Sequence, residues 1–479
     1  MKNIRLLKTL IALLMLSSTQ IRAEKKPNVI VFLVDDLGYK DLGYTGSSFY
    51  ETPNIDKVAN EGIIFNNGYA GASNCAPSRA CLLSGQNTPR HGIYTVKSSE
   101  RGNVKTRKII PTPNTLVLQD KIQTLGNLFS TNGYKTISLG KWHVSNNPLT
   151  QGFDENVAGC EMGNPGRKGY FAPYNVPKLE PKKEHEYLTD RLTDEAIGFI
   201  DRNQDNPFFV YLSYYSVHSP LMAKDSLVKK YKHKMNSPGQ SNANYAGMIE
   251  TVDTNMGKLI SALKQRGLLE NTLIIFTSDN GGVRKTSYQD PLRAGKGSYY
   301  EGGIRVPFFA YWKGKIRGHR VSDLPVVNMD IYATCKALVK DNNRQVCDGR
   351  SLLPLLVKGD KLSTKPLFWH FPIYLESYAG KIDQARDVLF RTRPGTVVRY
   401  GNWKLHYYYE DNKMELYNLI SDIGERNNLK DKYPEKCHEL YEMIKTWREN
   451  LHAPVPITLN PEYNAIVEKE MLEKRNNQF

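Results

Sequence analysis

The chain has 479 residues, a formal net charge of +16 and six cysteines. The length exceeds what one small core requires, so two domains, or one large domain with an appendage, are expected. Six scattered cysteines are too sparse for a disulfide scaffold, and neither a C-x-x-C zinc spacing nor a nucleic-acid-binding motif is visible. The basic charge suits a polyanionic partner, although a general role in solubility explains it equally well.

The N-terminal segment 1–23 has the organisation of a secretory signal. A charged start with Lys2, Arg5 and Lys8 precedes the apolar run Leu10–Leu16, and Ile21–Ala23 offers a cleavage site. The apolar run is too short for a bilayer span, and no later segment approaches about 20 apolar residues. We therefore expect a secreted or periplasmic protein with no stable membrane anchor; an uncleaved anchor is the alternative.

Four apolar runs each stop abruptly at polar residues. They are Val29–Val34 before Asp35 and Asp36, Thr136–Leu139 before Lys141 and His143, Phe208–Tyr214 near His218, and Leu273–Thr277 before Asp279 and Asn280. Helical patterns lie between them, at Thr189–Asp201 and at Ala246–Leu263. Continuous apolar strands alternating with helices indicate a parallel sheet that is buried on both faces. Ligands of such sheets gather at the carboxyl ends of the strands, so we expect an active site there.

Two stretches are predicted to be long loops. In addition, the predicted secondary-structure pattern changes near residue 385. The loops cover 95–111, which is rich in Lys and Arg, and 163–183; each is either a binding loop or a solvated insertion. Short strands over 396–409 and 414–419, around a turn at Asp411-Asn412, precede an amphipathic helix over 435–451. We therefore predict a catalytic α/β domain over 24–385 and a small α+β subdomain over 386–479. Cys335 and Cys347 are close enough in sequence either to form a disulfide or to remain free.

Hard oxygen ligands come from two of the strand ends. Asp35, Asp36, Asp279 and Asn280 suit Ca²⁺ or Mg²⁺ and are poor ligands for Zn²⁺. Asp35 and Asp36 alone fit a strand end or a helix cap equally well. Their combination with S-D-N-G-G at 278–282 on a second strand favours a metal site.

The stretch from Cys75 to Gly85, C-A-P-S-R-A-C-L-L-S-G, resembles the sulfatase signature. In that family the cysteine is oxidised after synthesis to formylglycine, whose hydrated aldehyde is the nucleophile. The resemblance extends over nearly everything after residue 23, including G-K-W-H at 140–143, L-R-A-G-K-G at 292–297 and D-G-R-S-L-L-P-L-L at 348–356. It implies a type I, formylglycine-dependent sulfatase with an alkaline-phosphatase-like α/β fold, in which helices sandwich a mostly parallel sheet.

The same resemblance implies roles for individual residues. One Ca²⁺ would be bound by Asp35, Asp36, Asp279, Asn280 and the formylglycine formed from Cys75, which Arg79 holds in place. Lys141 and Lys296 would clasp the sulfate. His143 would take a proton from the hydrated aldehyde and His218 would protonate the leaving oxygen or contact the sulfate, although the division between acid and base stays open. A separate formylglycine-generating enzyme is required as a partner.

Substrate recognition is less sharply indicated. Trp369, His370 and Tyr374 could stack on a sugar or pack in the core, and Arg90, His91, Arg293 and the basic loop 97–108 are further candidates. We expect a secreted enzyme that hydrolyses sulfate esters of a carbohydrate, either an algal polysaccharide such as ulvan or carrageenan or glycosaminoglycan oligosaccharides. The alternatives are a formylglycine-dependent hydrolase of phosphonate or phosphate esters and a catalytically silent protein that binds sulfated glycans.

Overall fold

The computed structural model describes residues 25–177 and 179–477, so the predicted signal segment 1–23 lies outside the described residues. Within the described ranges, no helix combines the length and the apolar character needed to cross a membrane. All six cysteines fall in these ranges and are free thiols, so the structure contains no bond between Cys335 and Cys347.

Sixteen strands are present in the described part of the chain. They are β1 (Asn28–Val34), β2 (Ile63–Phe65), β3 (Gly68–Tyr69), β4 (Lys135–Gly140), β5 (Glu155–Val157), β6 (Phe208–Ser213), β7 (Thr272–Ser278), β8 (Phe308–Tyr311), β9 (Arg320–Ser322), β10 (Val326–Val327), β11 (Leu367–Phe371), β12 (Leu375–Glu376), β13 (Phe390–Thr392), β14 (Gly395–Tyr400), β15 (Trp403–Tyr408) and β16 (Met414–Asn418).

The α-helices alternate with the strands of the first 340 residues and close the chain at its carboxyl end. They are Pro53–Asn60, Cys75–Ser84, Thr88–His91, Leu125–Thr131, Leu188–Arg202, Asp225–Lys232, Ala243–Gln265, Glu301–Ile304, Met329–Leu338, Pro434–Leu451 and Ala465–Asn477.

Eight strands form the central sheet, in the order β5-β4-β6-β1-β7-β8-β2-β9. Strand β1 lies between β6 and β7 and runs parallel to both. Strand β8 runs antiparallel to its neighbours β7 and β2, whereas the other pairs in this sheet are parallel. The mostly parallel sheet predicted from the sequence is therefore confirmed.

Both faces of this sheet are buried, as the alternation of β1 shows. Ile30, Phe32 and Val34 pack in one core with the helices Leu188–Arg202 and Ala243–Gln265. Their neighbours Val29, Val31 and Leu33 pack in a second core, which includes the helices Cys75–Ser84 and Met329–Leu338. Each apolar side chain buried in this way contributes about 1.5–3 kcal/mol relative to an exposed one. The two cores hold the carboxyl ends of β1 and β7 rigidly side by side.

A four-stranded antiparallel sheet, β11-β14-β15-β16, forms the carboxyl-terminal part. Leu440 and Ile444 of the helix Pro434–Leu451 pack on it. The run 396–409 is divided into β14 and β15 because Gly401, at φ 58°, turns the chain between them. Strand β11 precedes residue 385, so this sheet takes one strand from before the predicted domain boundary; the division at 385 itself stays a prediction.

Candidate active site

The ends of two adjacent strands bring four oxygen-bearing side chains together. Asp35 and Asp36 follow β1, and Asp279 and Asn280 follow β7. The backbone N–H of Asp36 donates to Asp279 Oδ1 at 3.1 Å, and Asn280 Nδ2 donates to Asp36 Oδ1 at 2.8 Å. All four side chains are buried, so charge is concentrated where the sheet ends.

Two glycines permit the next segment to approach these strand ends. A Cβ at Gly281 would lie 2.0 Å from the carbonyl oxygen of Gly302, and a Cβ at Gly303 would lie 1.9 Å from that of Ser298. Real Cβ atoms do not occupy such positions, so the S-D-N-G-G and Y-E-G-G stretches need glycine where they meet. This close contact brings Lys296 to the end of β1.

Cys75 begins the buried helix Cys75–Ser84. Pro77 lies in the first turn, where its missing N–H has no intrahelical partner to lose. The thiol Sγ lies 3.6 Å from Asp35 Oδ1 and 3.9 Å from Asp36 Oδ1. Burial raises the pKa of the Cys75 thiol to about 12, so the unmodified side chain stays neutral and is a poor nucleophile at neutral pH.

Arg79 is one helical turn after Cys75 and is fully buried. Its Nε and Nη2 each lie 2.9 Å from Asp279 Oδ2, and its Nη1 donates to the carbonyl oxygen of Lys141 at 2.8 Å. Nη1 also donates to Ser213 Oγ at the end of β6. One guanidinium therefore ties the ends of three strands to the helix that carries Cys75. Sequence reasoning missed Ser213, because a serine that ends an apolar strand gives no functional signal.

The two lysines pair with the two aspartates of β1. Lys141 Nζ donates to Asp35 Oδ2 and Lys296 Nζ donates to Asp36 Oδ2, each at 2.7 Å. Although burial disfavours an ammonium, the neighbouring carboxylates keep the pKa of both lysines above its usual value. Arg391 Nη1 donates to the carbonyl oxygen of Lys296 at 2.9 Å. Arg391 is 95 residues away in sequence, so no local pattern could have predicted this support.

His143 lies in a strained backbone conformation, with φ 65°, just after Lys141. Its Nδ1 is buried without a hydrogen-bond partner among the described residues. Burial and the charge of Lys141 hold the pKa of His143 well below its usual value, so the ring is neutral. The loop 163–183 reaches this ring, since a Cβ at Gly163 would lie 2.6 Å from His143 Cε1.

His218 lies beside Asp36, beyond the carboxyl end of β6. Its Nε2 is 3.6 Å from Asp36 Oδ2, and its Nδ1 is 2.8 Å from the carbonyl oxygen of Ser219. A carbonyl oxygen only accepts, so Nδ1 carries the proton and Nε2 is free to take one. Burial and the charge of Lys296 lower the pKa of His218 to about 4, so this ring is also neutral.

The donor set fits a hard divalent cation. Asp35, Asp36 and Cys75 each offer one ligand atom, and these atoms lie within 4.8 Å of one another. Asn280 Oδ1 is buried without a hydrogen-bond partner in the described ranges, as an unused metal ligand would be. Burial and the charge of Asp279 raise the pKa of Asp35 to about 8, a cost that a bound cation would remove. Apart from the sulfur of Cys75, which stands where an oxygen of the expected formylglycine would lie, the donors are oxygens, and such sites suit Ca²⁺ or Mg²⁺.

The predicted substrate-binding residues are not brought to this centre. Trp369 and His370 are buried: Trp369 Nε1 donates to the carbonyl oxygen of Ala70, and both ring nitrogens of His370 are hydrogen-bonded. His91 is buried too, with Nε2 3.5 Å from Cys81 Sγ. In this structure their contacts are those of core residues.

The charged candidates are engaged in contacts within the protein. Arg90 Nε lies 2.9 Å from Asp348 Oδ2. Arg293 donates to the carbonyl oxygens of Gln384, Ala385 and Glu425, with its guanidinium 3.7 Å from the ring centroid of Tyr300. In the loop 97–108, Arg101 pairs with Glu376. These contacts tie the three arginines to other segments of the protein.

Comparison with known proteins agrees with this geometry. Residues 27–340 match the family model for sulfatases, and residues 295–452 match the model for the C-terminal region of N-sulphoglucosamine sulphohydrolase. A sulfatase of Formosa agariphila is 33% identical over 93% of either chain. The N-acetylgalactosamine-6-sulfatase of Homo sapiens is 30% identical over 73% of this chain and 69% of its own.

Solved structures extend the similarity to the whole fold. Ps i-CgsB, determined in complex with k-i-k-neocarrahexaose, is similar with a TM-score of 0.74 and 28% identity, over 94% of this chain and 98% of that one. The family match covers more than half of the chain and includes the strand ends, the Cys75 helix and Lys296. The chain therefore belongs to the sulfatase family and is a hydrolase of sulfuric esters.

Proposed function

We propose that this sulfatase removes sulfate esters from a sulfated carbohydrate, using a formylglycine formed from Cys75 and one Ca²⁺. The observation that carries the proposal is the meeting of the Cys75 side chain with two carboxylates, Asp35 and Asp36, each of which is paired with a buried lysine. Hydrolysis of a sulfate ester demands strong electrostatic stabilisation. This site provides it by placing lysines that can bind an anion next to carboxylates that can bind a metal cation.

The chain's residues divide the work. A divalent ion on Asp35, Asp36, Asp279 and Asn280 supplies polarisation of the sulfate oxygens. A formylglycine at position 75 would supply, in its hydrated form, two hydroxyls on one carbon, which would allow release of the sulfate without attack by water on sulfur. Arg79 lies on the same helix as position 75, and its guanidinium donates to the carboxylate of Asp279. It therefore orients position 75 and Asp279 relative to each other.

The remaining side chains handle charge and protons. Lys141 and Lys296 are ammonium groups in a water-poor site, where they stabilise negative charge on a sulfate more strongly than in bulk water. His143 and His218 are neutral, so each can accept a proton at a ring nitrogen. We assign proton removal at position 75 to His143. His218 would protonate the leaving oxygen after its Nε2 has taken up a proton, a charged form that the neighbouring Asp36 carboxylate favours.

The substrate class follows from charge and from relatives. The formal charge of +16 is compatible with a polyanion, the relative Ps i-CgsB was determined with a neocarrahexaose, and another relative is named N-acetylgalactosamine-6-sulfatase. We propose a sulfated polysaccharide or its oligosaccharides, of algal (ulvan, carrageenan) or glycosaminoglycan type, met outside the cytoplasm after export by segment 1–23.

The test is a sulfate-release assay on a panel of polysaccharide digests. The enzyme would be produced together with a formylglycine-generating enzyme, and released sulfate would be quantified by ion chromatography, with Cys75→Ala as the control. Release from one digest supports the proposal and names the substrate family. Turnover of phosphodiesters without sulfate release, with formylglycine confirmed by peptide mass, would favour the phosphoester hydrolase instead. Glycan binding with an unmodified Cys75 and no turnover would indicate a silent binding protein.

A further inference from the structure

The exposure of individual side chains shows where the buried site opens to solvent. Asp35 and Lys141 have fully buried side chains. By contrast, the side chain of His218 is 17% exposed and that of Lys296 is 8% exposed, and both groups lie beside Asp36. A sulfate bound among these groups therefore has its ester oxygen, and the alcohol attached to it, on the side of His218 and Lys296.

A series of contacts connects Lys296 to an exposed aromatic ring. Arg391 Nη1 donates to the carbonyl oxygen of Lys296, and its Nε donates to that of Glu376, each at 2.9 Å. Arg391 Cζ lies 3.3 Å from the ring centroid of Tyr378. Gly297, at φ 86°, permits this approach, because a Cβ there would lie 2.5 Å from Arg391 Nη1. The Tyr378 ring is therefore one guanidinium away from the backbone of Lys296.

Electrostatic interactions also place Tyr378 next to the site. Burial lowers the pKa of the Lys296 ammonium, and four acidic groups raise it, in the order Asp36, Cys75, Asp35 and Tyr378. Such effects weaken with distance, so the Tyr378 hydroxyl is a neighbour of this ammonium. Because the other three groups belong to the site itself, Tyr378 lies at the mouth of the site.

The Tyr378 ring is exposed although its loop is fixed. Asp383 Oδ2 accepts from Ser377 Oγ and from the backbone N–H groups of Tyr378 and Ala379, at 2.6–2.9 Å. Arg391 is buried and covers one face of the ring, yet Tyr378 is 51% exposed, so the other face is turned to solvent. A single exposed aromatic residue needs no explanation by itself, but this one is held in place beside a reaction centre.

A sugar ring fits the free face of Tyr378. In a sulfated carbohydrate the sulfate is joined to the ring directly through an oxygen or through a CH₂–O link. The ring that carries the ester is therefore the first group to emerge from the buried site on the side of Lys296. Tyrosine offers a rigid apolar face at a low cost in conformational entropy, which suits the C–H face of such a ring.

We infer that Tyr378 is a specificity-determining residue, whose open face stacks on the sugar ring that bears the reacting sulfate. This inference deepens the proposed function and rests on it, because it takes the substrate to be a carbohydrate. It assigns the contact to the aromatic ring of Tyr378 and not to its hydroxyl, and it leaves the binding of the sulfate group to the lysines.

The first experiment measures kcat/KM for an oligosaccharide from which the enzyme releases sulfate. Tyr378→Ala should lower it by about tenfold, the effect of one lost stacking contact, whereas Tyr378→Phe keeps the ring and should lower it by less than about twofold. Tyr400→Ala is the matched control, at a tyrosine that is 38% exposed at the end of β14, and should retain the wild-type value. Equal values for Tyr378→Ala and Tyr400→Ala would overturn the inference.

Inhibition by inorganic sulfate separates stacking from an indirect effect through Arg391. If Tyr378 served only to hold Arg391 and Lys296 in place, its loss would weaken the binding of free sulfate as much as that of the substrate. We expect the inhibition constant of sulfate in Tyr378→Ala to stay within about twofold of the wild-type value. A rise equal to the loss in kcat/KM would overturn the inference.

Binding to an inactive protein keeps the two proposals distinguishable. Carrageenan, ulvan and glycosaminoglycan oligosaccharides would be titrated into Cys75→Ala and into Cys75→Ala, Tyr378→Ala by calorimetry. Binding that depends on Tyr378, in a protein whose mature form releases no sulfate, would overturn the proposed function alone. Sulfate release with no effect of Tyr378→Ala would overturn the stacking alone. A protein that neither binds nor desulfates any of these carbohydrates would overturn both.

Discussion

Position 75 combines deep burial with dense charge. Its thiol is 2% exposed and faces two carboxylates, and Lys141, Lys296 and Arg79 lie around these acids. With its pKa raised to about 12, the thiol holds almost no thiolate at neutral pH. These surroundings therefore disfavour a free cysteine as the nucleophile. They are better suited to an oxygen nucleophile that is uncharged before the reaction.

Replacement of Cys75 should abolish turnover. Cys75→Ala removes the side chain that we propose as the nucleophile, so we expect sulfate release to fall to the background level, measured by ion chromatography. Cys81→Ala, a second buried thiol on the same helix, is the matched control and should retain most of the activity. Equal activities of the two variants would exclude the assignment of the nucleophile.

Removal of the Asn280 side chain should weaken calcium binding. Asn280→Ala deletes an oxygen that is buried without a partner, so we expect the stabilisation by calcium to need about tenfold more calcium, read from Tm in an EGTA-buffered titration. Asn328→Ala removes another buried amide with an unpaired Oδ1 and should lower Tm without changing the calcium response. A calcium response unchanged in Asn280→Ala would contradict the metal site.

At the scale of elements, the strand ends were predictable and the packing between distant segments was not. The runs that end at Asp35 and at Asp279 are apolar, β-branched and sharply bounded, so their strands and their shared edge follow from local pattern. The burial of Trp369 and His370 depends on a strand, β11, whose partner β14 follows 20 residues or more later. Side chains that suit a sugar also suit a core, and only tertiary contacts decide between them.

The ion pairs of Lys404 should hold the carboxyl-terminal sheet to the segment that follows Lys296. Lys404→Met leaves Glu301 and Glu425 buried without this ammonium, so we expect the free energy of unfolding in urea to fall by about 3–5 kcal/mol. Lys413→Met, on the adjacent turn and 71% exposed, should change it by less than about 1 kcal/mol. A loss as small as that of the control would show that the network adds no stability.

His370 should make the protein less stable in mild acid. Burial lowers its folded-state pKa to about 3, whereas an unfolded histidine titrates near 6.5, so between these values the unfolded state binds the proton. Stability is therefore intact above about pH 6.5 and falls as the pH drops, by about 2 kcal/mol from this residue at pH 5.

Thermal unfolding at pH 7.5 and pH 5 would measure this effect. The fall in Tm between the two values should be smaller in His370→Gln than in the wild type, because the variant has no buried imidazole to protonate. His438→Gln, at an exposed position, should show the wild-type fall. An identical fall in all three proteins would contradict the predicted role of His370.

At the scale of the whole molecule, the excess of positive charge should act on polyanions at long range. The chain carries 65 basic and 49 acidic residues. The screening length falls from about 10 Å at 0.1 M salt to about 3 Å at 1 M, which removes the attraction between the enzyme and a polysulfated chain. We expect KM for the polysaccharide to rise steeply with salt and KM for 4-nitrophenyl sulfate to rise much less. Parallel salt curves for the two substrates would show that the net charge does not assist binding.

The burial of the helix Cys75–Ser84 also bears on when Cys75 could be modified relative to folding. Each of its ten residues is buried, Cys75 included. An enzyme that formed the proposed formylglycine would have to take this segment into its own active site, which the finished fold does not permit. We therefore expect such a modification to precede closure of the sheet, and a protein that folds unmodified to stay inactive until it unfolds.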